Sequence, residues 1–144
     1  MNNELTITSV PATLIDYIWD EVEEMLERVI KKAPDDLVSE VIKERLKAGE
    51  NMLMIIYRDT ELVAALVLDV RTLDSGVRYL SIPVIAGSEM DEWAEDFLDI
   101  ARAIAKDYNC TELRGMAARP GWLRYLKSKG WEECFTTVRC YIGE

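Results

Sequence analysis

Between Met52 and Ile85 the chain carries three apolar runs, Met52–Tyr57, Leu62–Val70 and Val77–Ile85, and the polar stretches Arg58-Asp59-Thr60-Glu61 and Asp74-Ser75-Gly76 part them. Apolar runs this short, joined by tight polar turns, read as strands of an antiparallel meander. They alternate weakly between apolar and polar residues. Strands of that kind are central ones, covered on both faces. Whatever this chain folds into must therefore supply helices to two sides of one sheet.

The flanking sequence supplies them. Leu5–Val10 reads as a short strand, with Leu5, Ile7 and Ser9 alternating against Thr6 and Thr8. Pro11 and Thr13 open a helix, where Thr13 and Asp16 resemble a capping box. Ile15, Ile18, Trp19, Val22, Met25, Leu26, Val29 and Ile30 recur at helical spacing and predict one buried stripe, with Asp16, Asp20, Glu23, Glu24 and Glu27 on the solvated face. Pro34 breaks this helix. Asp35 or Asp36 can cap a second one that carries Val38, Val41, Ile42 and Leu46 inward, and Gly49 suits the position just past its end.

Downstream, Gly87-Ser88 leads into a helix over Glu89–Tyr108, with Met90, Trp93, Phe97, Ile100, Ala101, Ile104 and Tyr108 inward and Asn109 closing it. Thr111–Ala117 is a predicted strand. Pro120 can start a further helix and Gly130 stop it. Trp131–Ile142 is predicted as a last strand, with Phe135, Thr137, Arg139 and Tyr141 alternating against Thr136, Val138 and Cys140. The passage from Val77 to Ala117 is strand, long helix, strand, which predicts a parallel crossover. The expected fold is one α/β (α+β) domain over residues 1–144, with a mixed, mostly antiparallel sheet and helices on both faces. Pro83 lacks an N–H inside a central strand, so a bulge or a splayed pairing is expected there.

Composition removes whole classes of chemistry. The chain has no histidine, which excludes a Ser-His-Asp triad, a Cys-His dyad and a His-ligated metal. Cys110, Cys134 and Cys140 show no CxxC spacing and are expected to be buried thiols in a reducing compartment, with no metal site. The net charge of −10 opposes binding to nucleic acid or an anionic membrane. No apolar run approaches the roughly 18 residues that span a bilayer. Met1-Asn2-Asn3-Glu4 has neither the basic nor the apolar region of a signal peptide.

The element order resembles the GNAT N-acetyltransferase superfamily over nearly the whole chain. Arg119-Pro120-Gly121-Trp122-Leu123-Arg124-Tyr125-Leu126-Lys127-Ser128-Lys129-Gly130-Trp131 looks like that family's fourth helix. Taken with Ala86-Gly87-Ser88-Glu89-Met90-Asp91-Glu92-Trp93, it resembles the GNAT-like proteins of tailed bacteriophages and prophages. The family resemblance implies three functional elements. The first is a glycine-rich cradle for the CoA pyrophosphate after the fourth strand. Here that place holds a single glycine, Gly87, then Ser88 and the acidic Glu89, Asp91 and Glu92. The second is a tyrosine four residues before the closing glycine, to protonate the leaving thiolate. That position is Leu126, and Tyr125 is one residue away, about 100° around the helix. The third is a base on the fourth strand, which has no carboxylate. Asp69 on the preceding strand is the nearest candidate.

With all three elements altered, the resemblance implies a non-catalytic phage or prophage protein. It would act through protein partners, phage or host, in the cytoplasm of a bacterial host or incorporated in a virion, without a cofactor. The alternative is an acetyl-CoA-dependent N-acetyltransferase with an atypical loop, with Gly87 and Ser88 at the cofactor and Tyr125 and Asp69 as catalytic groups. Basic residues concentrate in the last third of the chain, with tryptophan and tyrosine among them. This marks Arg114, Arg119, Trp122 and Arg124 as candidate partner- or ligand-binding residues. The other reading of Trp122 is a core residue that packs its helix onto the sheet. A homodimer through an exposed sheet edge is a further expectation.

Overall fold

A computed structural model describes residues 4–32, 37–115 and 120–143. Strand β1 is Leu5–Val10. A single 3-10 turn, Ala12–Leu14, leads into helix α1, Ile15–Ile30, and helix α2 is Ser39–Lys47. Strands β2, Met52–Arg58, β3, Glu61–Thr72, and β4, Arg78–Gly87, follow. Helix α3, Met90–Asp107, strand β5, Glu112–Gly115, and helix α4, Pro120–Ser128, complete the elements. The five strands lie in sequence order in one sheet. Neighbours are antiparallel except β4 and β5, which are parallel across the α3 crossover. The mixed, mostly antiparallel sheet is the one expected from the sequence.

Both faces are covered, which accounts for the continuous apolar runs. Met54, Ile56, Leu66, Leu68, Leu80 and Ile82 pack with Trp93, Phe97, Leu98 and Ala101 of α3 and with Trp122 and Leu126 of α4. Leu53, Ile55, Ala65, Val67, Val84 and Ala86 pack with Ile15, Trp19, Val22 and Leu26 of α1 and with Ile42 and Leu46 of α2. The expected bulge is present in β4. Val67 opposes Val84 while Asp69 opposes Ser81, so β4 spends one residue more than β3 across Ile82 and Pro83. The extra residue exchanges the faces of β4. Leu80 and Ile82 point to the α3 side, and Val84 and Ala86 to the α1 side.

Several local expectations are corrected. Thr13 makes no capping bond, because the chain enters α1 through the 3-10 turn, with Leu14 at the N-cap. Asp16 instead pairs with Lys43 at 3.6 Å and Lys47 at 3.1 Å, tying α1 to α2. Val38 is the extended N-cap of α2; Pro34, Asp35 and Asp36 lie outside the described residues. Val38, at the N-cap, and Val41 are exposed, since the buried side of α2 is made by Ser39, Ile42 and Leu46. Tyr108 is exposed because the chain leaves α3 there, and Asn109 takes the left-handed turn. Gly49 follows the end of α2 at φ +78°, as expected.

The largest correction concerns Trp131–Ile142. Residues 131–143 form no strand. Trp131 packs against the core and donates its N–H to Leu126 O at 3.1 Å. Beyond it the chain is exposed, including Phe135, Val138, Tyr141 and Ile142. Alternation supplies a face for a strand but no partner edge. Cys110 is buried, but Cys134 and Cys140 lie on this segment and are exposed, against the expectation of three buried thiols.

Candidate functional site

β4 and β5 part company at the bulge. Their pairing runs from Tyr79 and Glu112 to Ile82 and Gly115, whereas β4 continues to Gly87. Among the described residues, Pro83–Gly87 has no β5 partner; residues 116–119, which follow β5, lie outside them. Pro83, the first residue past the described pairing, has no N–H to give. On the other edge β4 remains paired with β3 as far as Ala64 and Gly87.

The turn that follows β4 is filled by the chain itself. Gly87 sits at φ +130°, and a Cβ there would lie 2.3 Å from Val63 O and 2.5 Å from Ala64 Cα. Its glycine is required by the close approach to β3. The next N–H, that of Ser88, is donated to Val63 O at 3.1 Å. Trp93 Nε1 donates to Ser88 O at 2.7 Å and pins the turn onto α3. Glu89, left-handed at φ +58°, is the N-cap of α3. Arg58 Nη1 and Nη2 grip its carboxylate at 2.8 and 2.7 Å, and Nη2 also reaches Glu92 Oε2 at 3.1 Å.

This arrangement bears on the CoA pyrophosphate that the fold family implies. The positive end of α3 faces a carboxylate already neutralised by Arg58, with Asp91 and Glu92 in the first turn. The Ser88 N–H is spent, and the single glycine packs against β3. The residues present do not fit a diphosphate.

Arg58 holds the Glu89 carboxyl below its ordinary pKa through this hydrogen bond, and the Arg58 guanidinium is raised in turn. A carboxylate lowered in the folded state adds stability above its unfolded pKa of about 4.3 and loses it as pH falls further. Wild type is therefore expected to melt higher than Glu89→Gln near pH 7. The difference should close below about pH 4 in a thermal-melt series at stepped pH.

A second constellation lies on the α1 face of the sheet, beyond the apolar residues under α1. Asp69, Ser81 and Arg114 stand in register across β3, β4 and β5, and Arg71, Tyr79 and Glu112 form the next row. Leu80 and Leu113, between the rows, point to the opposite face. Arg71 Nε donates to Asp69 Oδ2 at 2.9 Å, and Arg114 Nε to Glu112 Oε1 at 3.0 Å. The Arg114 guanidinium stands 4.6 Å from the centre of the Tyr79 ring. Asp69 Oδ1 is buried without a hydrogen-bond partner among the described residues. A buried carboxylate oxygen is costly unless a donor reaches it, so this row holds an unfilled acceptor.

The candidate residues from the sequence fall in separate places. Arg114 belongs to the polar rows, and Asp69 lies two strands away in the same register. Trp122 is buried on the opposite face, and Tyr125 stacks on it with ring centres 5.7 Å apart. Arg124 is exposed on α4. Arg119 lies outside the described residues. Gly87 and Ser88 form the packed turn described above. Sequence reasoning missed Arg58, Arg71, Tyr79, Ser81 and Glu112. The signal available was polar residues at every second position of β3 and β4 near the bulge. Among the described residues no cluster of three or more Cys, Asp or Glu could hold a metal ion, and no helix is long and apolar enough to cross a membrane.

No protein-family model matches the chain, and no curated protein matches it in sequence. Solved structures match over nearly its whole length. An aminoglycoside acetyltransferase from an uncultured soil metagenomic sample, in complex with trehalose, superposes with a TM-score of 0.71 at 14% identity, covering 99% of this chain and 98% of that one. A predicted acetyltransferase with acetyl-CoA from Clostridium acetobutylicum gives 0.70 at 12% identity, covering 96% and 97%. A transcriptional regulator from Bacillus halodurans gives 0.69 at 16% identity, covering 96% and 100%. The chain has the GNAT acetyltransferase fold.

Proposed function

We propose that this is a GNAT-fold domain that acts by binding protein partners and does not transfer acetyl groups. One observation carries the reading. The Glu89 carboxylate stands at the N-cap of α3, directly after β4, and is held by Arg58 at two points. The polar rows around Tyr79 and Arg114 offer both charges and two hydroxyls on one half-buried face of the sheet, chemistry suited to a polypeptide surface. The resemblance of the α4 passage and of the turn before α3 to tailed-phage proteins gives the setting: a virion-associated or host-directed factor. Calorimetry with acetyl-CoA, and free CoA for comparison, tests the proposal. No heat at millimolar ligand is expected. Micromolar binding of both ligands would overturn it.

A second reading is acetyl transfer, favoured by the overall fold and by the bulge in β4 at Pro83. Asp69 and Tyr125 lie on opposite faces of the sheet, so this reading needs the two groups to meet at its edge. For this reading Arg58 must first release Glu89. Asp69→Asn and Tyr125→Phe would each lower an acetylation rate at least about 100-fold if those roles hold. Unchanged rates in both would remove the assignment.

A further inference from the structure

An apolar row runs along α2 outside the core. Val38 is 55% exposed and Val41 44%, and Ala48 is exposed as well. Val41 and Ala48 lie two helical turns apart and so share one side. Together with Glu40, Glu44, Arg45 and Glu50 they line a shallow groove of about 450 Å³. The charges of α2 are divided between its sides. Lys43 and Lys47 are spent on Asp16 of α1, at 3.6 and 3.1 Å. Glu40, Glu44 and Glu50 make no ion pair among the described residues. The groove therefore sets three free carboxylates and one guanidinium around its apolar residues. Its end is fixed by the backbone. Glu50 N–H donates to Arg45 O at 2.9 Å and Asn51 N–H donates to the same oxygen at 3.3 Å, which holds Glu50 against the last turn.

We propose that this groove is a docking site for an amphipathic helix of a partner protein, apolar on the face it lays down and flanked by lysine or arginine. Charge complementarity selects that occupant: the groove has an excess of unpaired carboxylates, and basic flanks would neutralise them as the apolar residues are covered. The net charge of −10 opposes a second copy of this chain in the same place. α2, Ser39–Lys47, is about 14 Å long, enough to seat two to three turns of a helix. The apolar contact is small, so the charges must contribute and binding must weaken with salt. The site rests on the reading of the chain as a partner-binding domain. It is lined by residues of neither the α3 turn nor the polar rows, so calorimetry with acetyl-CoA tests that reading alone and a peptide tests the groove alone.

The probe is a fluorescein-labelled peptide of about 18 residues, made of leucine, alanine and lysine with the leucines on one helical face. Fluorescence anisotropy at about 50 mM salt is expected to give a dissociation constant on the order of 50 μM. Val41→Gln, which leaves the charge unchanged, should weaken binding at least about 5-fold, and Glu40→Lys/Glu44→Lys at least about 20-fold. Glu95→Lys/Asp96→Lys makes the same change of charge on α3, across the sheet, and should stay within about 2-fold of wild type. All these side chains are exposed, so each variant should keep its melting temperature. No binding at about 1 mM protein, wild-type affinity in Val41→Gln, or an equal loss in the α3 variant overturns the proposal. Self-association of the protein alone that Val41→Gln abolishes would put a second copy in the groove and overturn it too.

Discussion

Gly87→Ala is expected to destabilise the domain by about 3 kcal/mol or more, a large part of the 5–15 kcal/mol typical of a domain. Two costs add. At φ +130° a side chain is strained whatever the space around it. The new Cβ would also fall 2.3 Å from Val63 O, 2.5 Å from Ala64 Cα and 2.7 Å from Ala64 Cβ. Two of these are backbone atoms of the central strand β3, paired on both sides, so they cannot yield cheaply. Gly49→Ala separates the costs. Its φ is also positive, +78°, but nothing lies within 4 Å of the added carbon. It should lose only about 1–2 kcal/mol. Urea unfolding of the two variants checks this. Equal losses would mean that the turn after β4 rises from β3 at little cost, and that it is far less fixed than its packing indicates.

That fixedness decides the functional argument. A loop able to rise from β3 would free the Ser88 N–H and let Glu89 swing away from Arg58. A diphosphate would then find the end of α3 open. The non-catalytic reading thus depends on the energetics of three residues, Gly87, Ser88 and Glu89, more than on the fold, which enzymes share.

How much of this was legible in the sequence follows the range of the interactions. The Pro83 bulge was legible because the missing N–H is a property of the residue itself. The meander was legible because its turns are local. The two-sided core was legible because strands without alternation need two covers. Val41 was misplaced, because helical spacing defines a stripe but not which of its positions a short helix buries. Phe135 to Ile142 read as a strand because alternation is local, whereas pairing requires an edge elsewhere. The site was least legible. Arg58 and Glu89 are 31 residues apart, and nothing in either residue announces the other. The rows Asp69-Ser81-Arg114 and Arg71-Tyr79-Glu112 exist only through strand register, which the bulge sets.

Trp93→Ala is expected to cost about 3–5 kcal/mol, the range for deleting a buried aromatic side chain. Trp93 is 2% exposed and meets Phe97 edge to face, with ring centres 6.2 Å apart. Its indole N–H also ties Ser88 O to α3. Trp93→Phe divides these contributions. It keeps a ring against Phe97 and leaves Ser88 O without its donor, at a cost of about 1–3 kcal/mol. Chemical denaturation gives both values, and amide exchange at Ser88 and Glu89 reports the turn. The Phe variant should exchange faster there while the strands keep their protection. Faster exchange confined to this turn would show that Trp93 holds Glu89 in place for Arg58. A Phe variant with wild-type exchange would mean that β3 alone holds the turn, through Val63 O, and that the Trp93 N–H only satisfies a carbonyl.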